Sequence, residues 1–200
     1  KIGIDMPYQQ IKKFYFDMVP ALTEEIWSEM EPRAIIESYK KGDYYIKPGE
    51  TEDYVSFINK GGFRYYFVIE DKEMVCNFTF ENCYISEYEG FLRRTPSNVY
   101  IQALEDSELV KFHYNDVQEF YEKYPQLQKF GRLIAENFLL EVIERSNSLL
   151  FSSPEDRYNQ LISREPQLMQ RVPQYMIASF IGITPEALSR IRKRMVYSLI

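Results

Sequence analysis

The sequence predicts an α+β protein: an N-terminal antiparallel β-roll (jelly roll) with flanking helices, a long helix, and a C-terminal helix-turn-helix. Three observations predict this class. Short β-branched and aromatic runs separated by turn signals fill residues 34–103, as in small antiparallel folds. Helical spacing of apolar residues follows over 115–151. Residues 171–194 then indicate two short helices around a glycine.

The predicted N-terminal domain, residues 1–114, begins with helix and continues as sheet. Residues 8–31 have helical spacing, and Thr23 followed by two glutamates is a cap signal for a second short helix that ends near Pro32. Turn signals such as Pro48-Gly49 and Gly61-Gly62 then separate short runs that we predict to be strands. The runs are 35–39, 44–46, 54–58, 63–69, 74–80 and 99–103.

The second segment, residues 115–152, is predicted to be a connecting and dimerisation helix. Asn115 or Asp116 would cap a short helix, and Pro125 would start a long one running to about Leu150. At about 1.5 Å per residue this helix would reach nearly 40 Å. Five residues at alternating three- and four-residue steps predict a dimer seam, although the helix could instead fold back on its own roll. They are Phe130, Leu133, Asn137, Leu140 and Glu144.

The third segment, residues 153–200, is predicted to be a DNA-binding domain. Ser153 is a cap signal for a helix that stops near Pro166, and Gly182 marks the turn between the last two helices. Thr184 is a good N-cap and Pro185 fits the first helical position. The apolar positions of the first helix are Tyr175, Ile177, Ala178 and Ile181, and those of the second are Ala187, Leu188, Ile191 and Met195.

The opposite face of the second helix is polar and suited to a major groove. Arginine can donate two hydrogen bonds to guanine, glutamate can accept from cytosine, and serine and lysine can reach phosphates. A capped surface helix with a basic end is the plainer reading, but the turn, the cap and the split faces together favour DNA. The predicted DNA-binding residues are Thr184, Pro185, Glu186, Ser189, Arg190, Arg192 and Lys193.

Charge is unevenly distributed along the chain. The formal net charge is −6, but residues 153–200 carry seven Lys or Arg against four acids, a net +3, which leaves −9 for residues 1–152. An acidic body with a basic end is expected when only that end meets phosphates. Two cysteines, Cys76 and Cys83, form no disulfide framework, although one disulfide stays possible. With no leader and no apolar run near 20 residues, we expect a cytoplasmic protein without membrane contact.

The helix-turn-helix resembles that of the catabolite activator protein and FNR (Crp/Fnr) superfamily of bacterial transcription regulators. The resemblance is carried by Ile177-Ala178, Gly182-Ile183-Thr184, Glu186 and Leu188-Ser189-Arg190. It implies that Glu186 and Arg190 read bases. It also implies double-stranded DNA, a second copy of the chain and RNA polymerase as partners. Pro185 stands where the family usually has arginine, so the family's usual operator is not expected.

The resemblance extends to the cyclic-nucleotide-binding β-roll of the same superfamily. Its spacing is followed by Gly42-Asp43, Ile46, Pro48-Gly49, Tyr54, Ile58, Gly61-Gly62, Arg64, Ile101 and 103–106. In the family's phosphate cassette a glutamate receives the ribose hydroxyls and an arginine meets the cyclic phosphate.

The corresponding segment of this chain, residues 86–91 followed by residues 96–99 and called the cassette below, departs from that family pattern. Glu87 matches the glutamate, but the glycine before it is Ser86 and the arginine position is Ser97. Losing a cation opposite a phosphate removes a pair worth roughly 1.5–3 kcal/mol, so cyclic nucleotide is not the expected effector and no cofactor is assigned. The candidate effector residues are Glu87, Arg93, Arg94, Ser97 and Asn98.

Two other function classes compete with the regulator. A β-barrel metalloenzyme would need several histidines, and the chain has one, His113, which we expect to be a hydrogen-bonded structural residue. The sequence shows no phosphate loop, nucleophile elbow or paired catalytic carboxylates, so no catalytic residue and no metal site is predicted. The remaining class is a ligand-binding module that acts through protein partners.

Overall fold

The structure, a computed structural model, describes residues 7–197, with side chains through Met195. The chain divides into two compact units. Unit 1 comprises Lys1–Tyr65 with Phe78–Asn137, and unit 2 comprises Tyr66–Asn77 with Phe138–Ile200. The division at 114 and 152 inferred from the sequence stays a prediction.

The predicted fold class is confirmed: two antiparallel four-stranded sheets form a roll, flanked and followed by helices. One sheet has the order β1-β8-β3-β6 and the other β2-β7-β4-β5. All six predicted strands are present. The strands are β1 Ile35–Tyr39, β2 Tyr44–Ile46, β3 Tyr54–Lys60, β4 Gly62–Ile69, β5 Lys72–Phe80, β6 Tyr84–Ile85, β7 Tyr100–Ala103 and β8 Ser107–His113.

Strands β6 and β8 were not predicted, and β8 organises its sheet. It pairs antiparallel with β1 on one side, where Ile35 lies opposite Lys111, and with β3 on the other, where Tyr54 lies opposite His113. Leu109, Val110 and Phe112 are buried in it. Consecutive residues of β8 are buried on both faces of the sheet, so its apolar residues do not alternate strictly with polar ones.

Helices cover the β1-β8-β3-β6 sheet in unit 1. They are α1 Gln9–Met18, α2 Glu24–Met30 with a 3-10 turn Glu31–Arg33, α4 Tyr114–Lys123 and the first part of α5 Pro125–Phe151. The short α3 Tyr88–Arg93, also not predicted, lies between β6 and β7. As expected, Thr23 caps α2, its hydroxyl accepting from the Ile26 N–H.

Aromatic side chains form much of the core of unit 1. The rings of Tyr15 from α1 and Phe130 from α5 stack at 3.9 Å between centroids, and Phe57, Phe112 and Phe120 are buried with them. Phe130 is only 4% exposed. Aromatic groups of this size contribute large buried areas, so the start of α5 belongs to the core of unit 1.

Unit 2 contains the C-terminal helices. They are α6 Pro154–Arg164, α7 Leu168–Arg171, α8 Gln174–Ile181 and α9 Pro185–Tyr197. Ser153 caps α6 as predicted, accepting from the Asp156 N–H at 3.2 Å. Tyr175, predicted at an apolar packing position, is 54% exposed, and the neighbouring Met176 is buried instead. Short α7 was not predicted.

Two further sequence expectations concern single residues. The cap of α4 is His113, neither Asn115 nor Asp116: its Nδ1 accepts from the Asn115 N–H at 3.1 Å. The imidazole also meets the Tyr54 ring edge-on at 5.3 Å between centroids. Cys76 is half-buried and Cys83 is exposed, and the two do not form a disulfide.

Candidate functional site

The turn between α8 and α9 has the geometry that its glycine predicts. Gly182 adopts φ +75°, the left-handed region where a β-carbon is unfavourable. The Ile183 N–H donates to the Ala178 carbonyl at 2.9 Å and the Gly182 N–H to the Ser179 carbonyl at 3.0 Å. These bonds satisfy carbonyls at the end of α8, as in a Schellman-type cap.

Helix α9 begins at the predicted cap and buries the predicted apolar face. The Thr184 hydroxyl accepts from the Ala187 N–H at 3.3 Å. Leu188 and Ile191 are 1% and 4% exposed, while Ala187 and Met195 are half-buried. With its apolar side packed inside unit 2, the helix turns its other side to solvent.

Every predicted DNA-binding residue lies on that solvent side. Thr184, Pro185, Glu186, Ser189, Arg190, Arg192 and Lys193 are all exposed. The pKa of the Glu186 carboxyl is lowered, mainly by hydrogen bonding to its own main-chain N–H, then by the Thr184 hydroxyl and the Arg190 charge. Glu186 is therefore an ionised acceptor at neutral pH. Burial raises the pKa of the Tyr158 phenol in α6, and the nearby Arg192 guanidinium opposes that effect.

An open groove of about 620 Å³ lies between the start of α6 and α9. Ser153, Pro154 and Glu155 line one side, and Arg190, Lys193 and Arg194 are among the residues of the other. Arg194 forms an ion pair with Glu155 at 3.2 Å. Arg190 and Lys193 therefore belong both to this groove and to the exposed face of α9, and their charges suit a polyanion.

The residues predicted for a dimer seam have different environments. Phe130 is a core residue of unit 1 and is unavailable to a partner, and Leu133 packs partly against the same core. Asn137 is exposed. Leu140 is 58% exposed, and exposed Glu144 forms an ion pair with Arg164 at 2.7 Å.

A run of exposed apolar residues continues along α5 past Asn137. Spacings of four and seven residues, one and two helical turns, place Leu139, Ile143 and Leu150 on one stripe of the helix. Large exposed apolar patches mark interaction surfaces. The exposed large apolar residues of this part of α5 are Phe138, Leu139, Leu140, Val142, Ile143, Leu149, Leu150 and Phe151.

In the cassette of the β-roll, the Glu87 carboxylate forms a hydrogen bond within its own helix, α3. Glu87 is the N-cap of α3, and its Oε2 accepts from the Gly90 N–H at 2.8 Å. A β-carbon at position 90 would lie 2.1 Å from Glu87 Oε2 and 2.9 Å from the Thr95 carbonyl. The glycine thus allows the carboxylate to close over the first turn. Burial raises the pKa of Glu87.

The two candidate cations of the cassette also have partners. Arg93 is exposed and forms an ion pair with Glu89 at 3.2 Å. Arg94, at φ +57°, ends α3. Its guanidinium donates to the Glu52 carbonyl at 2.6 Å, pairs with the Asp53 carboxylate, and lies 4.2 Å from the centroid of the Tyr114 ring. Arg94 therefore fixes the backbone of the cassette rather than facing a ligand.

Ser97, at the family's arginine position, is buried, and its hydroxyl bonds with the main chain of Val99 at 3.0 Å. Asn98 is exposed. The structure therefore does not bring the five candidate effector residues together as one ligand-facing set.

Sequence reasoning missed three buried charged residues of the roll. Glu52, Arg64 and Lys111 are 4%, 6% and 9% exposed. Arg64 donates to Gln102 Oε1 at 2.7 and 3.0 Å, and Lys111 pairs with Glu37 at 2.5 Å. A lysine inside the apolar run of β8 was the available signal, because charged residues are seldom fully buried unless paired.

Within the described residues, no group of three or more His, Cys, Asp or Glu is arranged to hold a metal ion. Of the helices that the structure describes, none is long and apolar enough to cross a membrane.

Comparison with known proteins extends these observations. A model of the cyclic nucleotide-binding domain matches residues 36–124. None of the curated proteins compared matches the chain in sequence.

Solved structures match over most of the chain. FixK2 from Bradyrhizobium japonicum superposes with a TM-score of 0.73 at 16% identity, covering 84% of this chain and 86% of FixK2. A Crp/Fnr family regulator from Eubacterium rectale gives 0.71 at 12%, with coverages of 92% and 88%. The c-di-GMP-responsive regulator CLP from Xanthomonas campestris gives 0.68 at 15%, with 88% and 93%. Residues 36–124 therefore match the cyclic nucleotide-binding domain, and the chain has the fold of these solved transcription regulators.

Proposed function

We propose that the chain is a sequence-specific, homodimeric DNA-binding transcription regulator of the cytoplasm, with RNA polymerase as a further partner. The observation that carries the proposal is the exposed face of α9. All seven polar or capping residues predicted to meet DNA are exposed there, while Leu188 and Ile191 are buried. A helix presented in this way by a second, packed helix is the arrangement that enters a major groove.

The side chains suggest distinct roles. Glu186 and Arg190, one turn apart on α9, would read base edges, because an ionised glutamate accepts from cytosine and arginine donates to guanine. Lys193 and Ser189 would contact phosphates, as would Thr184 at the helix start. Arg192, which lies near the Tyr158 phenol of α6, would contribute less.

A second copy of the chain is the occupant we propose for the exposed stripe of α5. Leu139, Leu140, Ile143 and Leu150 are each at least 45% exposed, and a two-fold axis would bury the stripe against itself. Asn137 and Glu144 lie about 100° or more around the helix from Leu139, Ile143 and Leu150, so they would flank this seam, while Phe130 is excluded by its burial. The pair would present two α9 helices to half-sites about 34 Å apart.

The β-roll is proposed to sense a signal other than a cyclic nucleotide held in the usual way. The polar groups of Glu87, Arg94 and Ser97 form hydrogen bonds within the chain. A phosphate at the cassette would meet no arginine at position 97. An effector would act by preferring one arrangement of the dimer over another.

Selection of binding sites from randomised duplexes, followed by affinity measurement with the full-length protein, tests the proposal. Arg190→Ala should weaken binding to the selected site by about 1–3 kcal/mol, roughly 5- to 150-fold, and relax preference at one base pair. Arg93→Ala, which removes an exposed arginine from α3, is the matched control and should bind normally.

Two outcomes would contradict the proposal. Equal losses on selected and random duplexes would remove the base-reading role of Arg190. Failure to enrich any sequence, with a monomer in solution, would favour a module that acts through protein partners.

A further inference from the structure

Glu52, in the loop before β3, connects α3 to the sheet. Its side chain is buried, and both carboxylate oxygens accept main-chain N–H groups. Oε1 accepts from Tyr54 at 2.8 Å and Oε2 from Glu87 at 3.3 Å. Glu87 is the N-cap of α3, so the carboxyl of Glu52 holds the N-terminal end of this helix.

The same loop also holds the other end of α3. The main-chain carbonyl of Glu52 accepts from Arg94 at 2.6 Å, and Arg94 pairs with Asp53. The Asp53 carbonyl in turn accepts from the N–H of Tyr114, the first residue of α4, at 2.8 Å. Residues 52 and 53 therefore connect both ends of α3 with the start of α4.

We propose that docking of α3 onto this loop takes up one proton at Glu52. The docked arrangement of α3 therefore becomes more stable as the pH falls. The cassette would then respond to protons through a carboxyl that the chain itself buries. The proposal concerns unit 1 alone and does not depend on DNA binding.

The environment of Glu52 supplies the physical cause. Burial raises the pKa of its carboxyl to about 7, and the main-chain bonds from Tyr54 and Glu87 and the phenol of Tyr45 offset only part of that effect. Lys111 is the cation that faces it, but the Lys111 ammonium already pairs with Glu37 at 2.5 Å. An ionised Glu52 is thus incompletely compensated in the docked state.

The direction of the effect follows from linkage. The ordinary pKa of this carboxyl is 4.5, and the docked value is about 7. Docking is therefore fully favoured below pH 4.5, loses strength as the pH rises towards 7, and changes little above that. The titratable and charged groups around the carboxyl are Tyr39 of β1, Tyr45 of β2, Lys111 of β8, Glu87 and Arg94 at the ends of α3, and Asp53.

Hydrogen exchange on the full-length protein tests the proposal. Exchange of residues 84–94, corrected for the intrinsic effect of pH, should rise about tenfold between pH 5.5 and pH 7 and level off above pH 7.5. Glu52→Gln, which keeps the shape and removes the charge, should flatten this profile.

Two matched variants complete the test. Glu50→Gln, in the same loop but exposed, should keep the wild-type profile. Glu87→Gln should also keep a rise over this pH range, since Glu87 contributes to the docking contact through its main-chain N–H. A rise that Glu87→Gln abolishes and Glu52→Gln leaves intact would overturn the proposal.

Carboxyl NMR titration of the wild type gives a readout that needs no variant to fold. The Glu52 carboxyl should titrate near pH 7. Titration near 4.5, or a corrected exchange profile that is flat from pH 5.5 to 8, would overturn the proposal.

Discussion

The exposed face of α9 and the cassette around α3 carry similar polar groups in opposite environments. On α9, the Glu186 and Arg190 side chains face solvent above a packed apolar side. Around α3, Glu87 caps its own helix, Arg94 binds the loop at 52–53, and Ser97 is buried against its own main chain.

This difference shows that residue identity alone does not make a binding site. A glutamate or arginine is available to a ligand only where the chain does not already use its hydrogen bonds. The same residue types therefore support recognition on α9 and a self-contained structural role at α3. Three substitutions challenge this contrast, from the largest expected effect to the smallest.

Leu188→Ala removes a side chain that is 1% exposed under the polar face of α9. Truncation of a buried leucine leaves a cavity, and we expect unit 2 to lose about 3 kcal/mol of stability, within a usual range of about 2–5 kcal/mol. Thermal unfolding and hydrogen exchange of residues 174–195 measure the loss.

The matched control lies on the opposite face of the same helix. Arg190→Ala should leave the stability of unit 2 within about 0.5 kcal/mol of the wild type, because it is an exposed substitution. If the two variants destabilise unit 2 equally, Arg190 is a structural residue and the contrast between the faces fails.

The parts of unit 2 that sequence analysis predicted are those with local signals. Gly182, Thr184 and the spacing of Leu188 and Ile191 define turn, cap and buried face within a dozen residues. The caps at Thr23 and Ser153 were predicted for the same reason. Each depends on hydrogen bonds between neighbours in sequence.

The parts that were missed depend on distant partners. Strand β8 is stabilised by β1 and β3, whose residues lie more than 45 positions away, and its lysine is paired with Glu37 of β1. The spacing placed Phe130 on a stripe of the long helix, but it could not show that Tyr15 stacks on its ring. Nor could it show that Arg94 binds the backbone of residue 52.

Ser179→Ala probes an intermediate case, a polar residue of α8 that unit 2 uses internally. Its hydroxyl accepts from the Val75 N–H at 2.9 Å and donates to the Glu73 carbonyl at 3.2 Å. Loss of both bonds should cost about 1 kcal/mol and speed exchange of residues 72–77 about fivefold.

The exposed Ser189 of α9 provides the comparison. Ser189→Ala should leave exchange of residues 72–77 unchanged while weakening DNA binding slightly. If Ser179→Ala leaves this exchange unaltered, the two bonds do not hold the segment and Ser179 belongs with the solvent-facing serines.

Lys193→Ala should give the smallest effect, because Lys193 is exposed and a phosphate contact carries no sequence information. We expect a uniform loss of a few-fold in affinity on selected and random duplexes alike, with the slope of log affinity against log salt reduced by about one unit. Lys129→Ala, an exposed lysine of α5, should change neither. A loss confined to one base pair would make Lys193 a base reader, and the recognition surface of α9 would then extend a turn further than Glu186 and Arg190.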